Sequence, residues 1–181
     1  EELFKSAGRA CNWFDLLYTG ESYRRWLINL LCLFDSLNSS NRARACRLLA
    51  LKPKYIQVFQ EELPLGCSAL TRAEQFLMRD PEPPASEIYR CFSGLSLEVL
   101  LYLVAKATDE PLRRCLAHFV THLRQTKIEI DGNDLKDIGL DPGPQYQTVF
   151  QQLLDARLNG VVKNRTDEIA LARKLIEPAE E

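Results

Sequence analysis

Little of what most enzymes work with is present in this sequence. There are two histidines, His118 and His122. A nucleophile–base–orienter set is therefore hard to assemble anywhere else in the chain. No Gly-x-Ser-x-Gly elbow, no phosphate-binding P-loop and no Gly-x-Gly-x-x-Gly fingerprint occurs. The acidic pairs Glu1–Glu2 and Glu61–Glu62 fall at predicted helix ends, where they are solvated. No apolar run approaches the roughly 18–20 residues a membrane-spanning helix needs. The best candidate, at 26–34, is interrupted by Asn29 and followed by Asp35. No Cys-x-x-Cys exists among the six cysteines, Cys11, Cys32, Cys46, Cys67, Cys91 and Cys115. Evenly spread thiols in apolar helical patterns read as buried and free, which fits a reducing, cytoplasmic compartment. No strong charge bias exists either: the formal net charge is −2, so the chain as a whole carries no nucleic-acid signature. The first residue is Glu1, with no secretory signal, and the chain is expected to be a piece of a longer one.

What is present is a core. Of 181 residues 46% are hydrophobic and 27% charged, enough for one large domain or two small ones. The apolar period is helical. Leu3, Ala7, Ala10, Phe14 and Leu17 share one face, and Trp26, Leu27, Leu30, Leu31 and Phe34 share another. Gly20 suits the end of the first helix and Ser22 the cap of the second. Further helices are expected over 40–51, from Pro53 to about residue 63, over 69–78, from Ser86 to Gly94, and from Ser96 onward. Pro64 and Gly66 should punctuate. The helix from Ser96 is apolar enough to be buried on most sides. Another begins at Pro111 and runs to about 127. "KIEI" (127–130) is the one strand-like piece, too short to found a sheet. Helices ending at Gly160 and opening near Thr166 complete the chain, and the polar "EPAEE" end should fray. The expected fold is all-α, about ten helices in a multi-helix body (1–126) and a small helical tail (127–181), with joints near 79–86 or 127–131.

Three constellations invite a chemical reading. Cys115, His118 and His122 lie three and four apart, which is metal-ligand spacing on a helix. Phe119 and Leu112 accompany them and no fourth ligand is near, so a core thiol with two half-buried imidazoles and no metal is expected. Charge is uneven: within 24–54, Arg24, Arg25, Arg42, Arg44, Arg47, Lys52 and Lys54 face a single acid, Asp35. Such a stretch either contacts phosphates, releasing counterions, or is a set of solvated helix faces. The turn "DGNDLKDIGLDPGPQ" offers free backbone amides and a Pro144 helix start, a possible phosphate cradle or simply a tight connection between short helices.

The residues from Ile130 through Leu175, "IDGNDLKDIGLDPGPQYQTVFQQLLDARLNGVVKNRTDEIALARKL", are similar to the C-terminal tail of the bacterial class II tRNA nucleotidyltransferase and poly(A) polymerase family. The matching positions are Gly132, Asp134, Leu135, Gly139, Pro142, Gly143, Pro144, Leu153, Leu154, Leu158 and Gly160. The preceding stretch, 96–130, resembles what lies before the tail in A-adding or CCA-adding members. The family's catalytic head, with its Gly–Ser pair and metal-binding aspartates on a sheet, has no counterpart here. The resemblance therefore implies a body and tail that position tRNA at its elbow, with no cofactor of its own. Mg²⁺ and ATP or CTP would be handled by a catalytic domain of the same parent chain, absent here. On that reading the fragment alone is inactive. The candidate RNA-binding residues are Arg42, Arg44 and Arg47 in the body, with Lys127, Lys136, Gly143, Arg157, Lys163 and Arg165 in the tail. A helical protein-interaction domain without an RNA role is the alternative, and a metal-dependent helical hydrolase a third.

Overall fold

The computed structural model describes residues 1–176, which contain helices and turns and no strand. The elements are α1 (Glu2–Asp15), α2 (Arg25–Phe34), α3 (Ser39–Leu48), α4 (Pro53–Gln57), a π turn (Val58–Glu62), α5 (Leu63–Arg79), α6 (Ala85–Phe92), α7 (Leu97–Lys106), α8 (Glu110–Thr121), a 3-10 turn (Leu123–Gln125), α9 (Gly132–Asp137), α10 (Gln145–Leu158) and α11 (Arg165–Ile176). Because α4, the π turn and α5 run on as one rod, the described residues hold ten helices, as the apolar periodicity predicts. The expected fraying of "EPAEE" lies outside the described residues. Among these residues no single helix is long and apolar enough to cross a membrane.

The chain divides into two compact units. The first comprises Glu1–Pro83 and Cys91–Val120, the second Pro84–Arg90 and the residues from Thr121 on.

The first unit is built around α7. Seven consecutive residues, Glu98, Val99, Leu100, Leu101, Tyr102, Leu103 and Val104, are buried. Helices α1, α2 and α5 pack on it. Alternating faces of one helix cannot all be covered by a single neighbour, so three partners are required. Burying each large aliphatic side chain here contributes about 1.5–3 kcal/mol.

Two sequence expectations fail at α1 and α2, each for a local reason. Gly20 does take a left-handed φ of +74°, but α1 has already ended at Asp15, and Tyr18 makes the first left-handed turn at φ +51°. Ser22 does not cap α2. The cap position is Arg24, whose amide donates to Glu98 Oε1 of α7 at 3.0 Å, while its guanidinium donates to the same oxygen at 3.1 Å. A carboxylate 74 residues away thus takes the role of a local N-cap.

Pro64 and Gly66 also depart from expectation, because neither ends the helix. Proline lacks an N–H and crowds the carbonyl four residues earlier. The widened π turn at Val58–Glu62 lies directly before it and opens that crowded turn. Gly66 is a contact residue: a Cβ there would lie 2.9 Å from Val99 Cγ1 and 3.3 Å from Leu103 Cδ1.

At the end of α2, Asp35 accepts from the Lys106 ammonium and the Tyr102 hydroxyl. Burial alone would raise its pKa, yet those two donors outweigh burial and hold the carboxyl below its ordinary range. A carboxyl with a depressed folded pKa stabilises the fold at every pH above its unfolded value of about 3.9. That contribution disappears as pH falls through the folded value. Asp35→Asn should therefore lower stability at neutral pH and reduce the loss between about pH 5 and pH 2. Urea midpoints measured across that range would test it. Equal acid sensitivity in both proteins would mean that other carboxylates govern it.

The second unit has its own small core of Ile130, Leu135, Leu140, Val149, Leu153 and Ala172. Here the tail motif becomes intelligible as folding instructions. Asp131 accepts from the amides of Asn133 and Asp134 at 2.8 and 3.2 Å, and Asp134 Oδ2 accepts from the Asp131 amide at 3.0 Å, a reciprocal capping box on α9. Gly132 lies under the Tyr146 ring, where a Cβ would come within 3.3 Å. Tyr146 in turn donates its hydroxyl to the Leu140 carbonyl at 2.9 Å. Gly139, at φ +96°, terminates α9, with the Leu140 amide returning to the Leu135 carbonyl at 3.0 Å. Gly160, at φ +73°, terminates α10 as its position suggests.

The strand-like "KIEI" forms no strand. With no neighbouring strand to pair with, its inward amides need another acceptor. Glu129 N and Ile130 N donate to Glu168 Oε2 of α11 at 2.8 and 3.1 Å. Glu168 is 0% exposed and its other oxygen, Oε1, accepts from Arg157 at 2.5 Å. Arg157 also reaches Glu129 at 2.6 Å. One guanidinium and two backbone amides are thus satisfied by a pair of carboxylates.

Candidate nucleic-acid interface

The nine candidate residues fall into both units, and their surroundings divide them by chemistry. In the first unit, α3 carries Arg42, Arg44 and Arg47. Asn38 caps this helix, accepting from the Asn41 amide at 2.9 Å, so the basic segment starts as a true helix. Arg44 and Arg47 are exposed, and neither has a carboxylate partner among the described residues. Arg42 is half-buried and lines a cavity of about 300 Å³ with Ser39, Ser40, Phe59 and Gln60. Its Nε has no hydrogen-bond partner among the described residues. Its positive charge also helps lower the pKa of Asp35.

Of the other cations in this stretch, Arg24 is committed to Glu98, and Arg25 donates to Asn12 Oδ1 at 2.7 Å. Lys52 is exposed at the start of α4, and Lys54 lies over the Tyr55 ring at 5.0 Å. Between Ser36 and Gln60 the sequence has no acid. Asp35, the lone acid of the wider stretch, is already neutralised by Lys106. The charge excess read from the sequence therefore survives folding mainly as Arg44, Arg47, Lys52 and Lys54.

In the second unit the candidates behave differently. Arg157 is held between Glu129 and Glu168, with its side chain only 20% exposed. These carboxylates, by hydrogen bonding first, hold its pKa above the ordinary guanidinium value. Arg165 pairs with Asp134, the capping carboxylate of α9. Both arginines fasten α11 and α10 to the motif loop. Lys127, Lys136 and Lys163 are exposed, without a carboxylate partner among the described residues. Lys163 additionally donates its backbone amide to Asp167 Oδ2 at 3.0 Å.

Gly143 is exposed, but its φ is not in the left-handed region, and a Cβ there would meet only the Asp141 carbonyl at 3.8 Å, an ordinary contact. In this turn the left-handed backbone belongs to Gly139, at φ +96°. At the start of α10 the amides of Tyr146 and Gln147 already donate to the carbonyls of Gly143 and Pro144, at 3.1 and 3.2 Å. Those two donors are consumed within the chain.

The histidine constellation does not persist as one face. Helix α8 ends at Thr121, and His122 leaves helical geometry at φ −125° and ψ −59°. Burial, with Cys91 adding to it, pushes the Cys115 thiol up to about 11, so it is protonated at neutral pH. Among the described residues no group of three or more His, Cys, Asp or Glu side chains is arranged to hold a metal ion.

Over 171 residues the sequence is 34% identical to an A-adding tRNA nucleotidyltransferase of Geobacter sulfurreducens. The chain is homologous to a segment of that enzyme. The match takes in 94% of this chain and 19% of the relative, so the chain spans about a fifth of the relative's length. It fits a C-terminal portion of the tRNA nucleotidyltransferase family, as the motif residues from Gly132 to Gly160 suggest. No protein-family model matches the chain, and no solved structure matches it.

Sequence reasoning missed two residues that shape this surface. Trp26 and Tyr55 sit 4.9 Å apart, ring centre to ring centre, at an interplanar angle of 85°. Trp26 looks like part of the apolar face of α2, yet it is 45% exposed. Only its phase relative to Leu27, Ile28 and Leu31, which are all buried, could have given it away.

Proposed function

We propose that this chain is the tRNA-positioning body and tail of a tRNA nucleotidyltransferase that extends the tRNA 3′ end. Nucleotide transfer, with its Mg²⁺ and ATP or CTP, belongs to a catalytic head elsewhere in the parent protein. The observation that carries this reading is the near-complete alignment of the chain with a small part of an A-adding enzyme. The acid-free segment bearing Arg44, Arg47, Lys52 and Lys54 supplies the chemistry, since exposed cations without carboxylate partners are free to neutralise phosphates. Lys127, Lys136 and Lys163 are the tail's counterparts. RNA of this kind is held largely by shape and backbone, which suits a surface of separated cations more than a deep pocket.

The test is a titration of tRNA against the purified chain at several salt concentrations. Binding should weaken linearly in log–log form, and Arg44→Ala with Arg47→Ala should flatten that slope by roughly one unit for each phosphate left without its cation. The chain alone should incorporate neither ATP nor CTP into tRNA. An unchanged slope in the folded double variant would reduce the basic segment to a solvated face. No tRNA binding at low salt would favour a helical protein-interaction domain.

A further inference from the structure

A large aromatic side chain half in water needs a reason, and Trp26 is one. Its neighbours Leu27, Ile28 and Leu31 face the core, whereas its indole is 45% exposed. It is not loose. Tyr55 meets it edge-to-face at 4.9 Å, and two cations lie over the Tyr55 ring, Lys54 Nζ at 5.0 Å and the Arg24 guanidinium at 5.8 Å. Arg24 is held by Glu98 at 3.1 Å. Lys52 and Lys54 have no carboxylate partner among the described residues, and Lys52 is exposed two residues before Lys54. The result is a buttressed, exposed π surface beside positive charge without a carboxylate partner among the described residues.

From this arrangement we infer that Trp26 and Tyr55, with Lys52 and Lys54, form a binding site for an unpaired nucleotide of an RNA strand. The base stacks on the exposed indole and the flanking phosphates meet the two lysines. A flat base offers the π face that indole favours, and its phosphates offer the negative charge that the lysines lack. Duplex RNA does not fit the role, because its bases are already stacked inside the helix. The edge-on contact with Tyr55 sets the indole plane before the ligand arrives, so little ordering cost remains at binding. This site rests on the proposal that the chain binds RNA, and extends it from phosphate contact to base contact.

The experiment uses the full chain carrying Trp13→Phe, so that Trp26 is the sole tryptophan. A short oligoadenylate, tRNA and a blunt RNA duplex are each titrated while tryptophan emission is followed. Oligoadenylate should quench the emission. With the RNA end-labelled and binding read by its fluorescence anisotropy, since these variants hold no tryptophan, Trp26→Ala should weaken oligoadenylate binding by about tenfold and leave duplex binding unchanged, and Trp26→Phe should fall between. Lys52→Ala with Lys54→Ala should flatten the salt dependence while retaining the quench at low salt. Trp26→Phe keeps an aromatic ring against Tyr55, which guards against a folding defect in the alanine variant. Oligoadenylate that binds without quenching, or with equal affinity to all Trp26 variants, would overturn the stacking site and leave the phosphate-contact proposal standing. Failure of the chain to bind any of the three RNAs would overturn both.

Discussion

Glu168→Ala should cost about 3–5 kcal/mol, the largest loss expected of any single polar substitution in the second unit. The carboxylate is fully buried and both oxygens are used, one by Arg157 and one by the amides of Glu129 and Ile130. Removing it leaves two inward amides without an acceptor. It also leaves a guanidinium, largely withdrawn from water, with Glu129 as its remaining carboxylate. An orphaned buried donor costs about 1–3 kcal/mol and a buried charge more. Glu168→Gln keeps an acceptor for the amides and loses the charge, so about half the effect is expected. Thermal unfolding followed by circular dichroism would report the size. Amide exchange would locate it, with the Glu129 and Ile130 amides losing protection in the alanine variant. A loss below about 1 kcal/mol for Glu168→Ala would mean that the extended segment is held by its Ile128 and Ile130 side chains rather than by this carboxylate.

The second large effect concerns Gly66, where α5 meets α7. A Cβ at 2.9 Å from Val99 Cγ1 cannot be accepted in place. Val99 is fully buried and branched at Cβ, so one χ1 rotamer is strongly preferred and retreat is costly. Overpacking of this kind costs about 1–3 kcal/mol, occasionally more. Alanine recovers about 1 kcal/mol of helix propensity, so Gly66→Ala should destabilise by about 1 kcal/mol net, and Gly66→Leu by about 3. Gly8 in α1 provides the control, because a Cβ there meets nothing within 4 Å. Gly8→Ala should stabilise by up to about 1 kcal/mol. The sign difference between identical substitutions is what urea denaturation should reveal, and Val99→Ala should relieve the Gly66→Ala variant. Stabilisation at both sites would mean that α5 can move away from α7 freely.

Helix content and order are legible in the sequence because apolar residues repeat on one face, and such a pattern survives whatever the helix packs against. Helices α2 and α7 show this, as do the left-handed glycines Gly139 and Gly160. Long-range polar pairs have no period, so Glu98 capping α2 and Glu168 serving the "KIEI" amides cannot be read. Pro64 misleads because a proline signals a helix end only if the preceding turn stays regular, and here a π turn precedes it. The candidate surface is legible as charge density over 24–54, but not as the division between free and committed cations. Arg157 and Arg165 look like any other basic residues until their carboxylate partners are located. Trp26 and Tyr55 are far apart in the sequence, and nothing local joins them.

The π turn also marks where this part of the chain can change length. A π turn holds an extra residue relative to a regular helix. It takes that residue up locally, so loss of one residue within Val58–Glu62 would let the rod become regular and leave Gly66 against Val99. The cost of the shortening falls instead on Pro64, whose ring would crowd the carbonyl four residues earlier once the turn is regular. Related chains that lack the extra residue should therefore lack the proline as well.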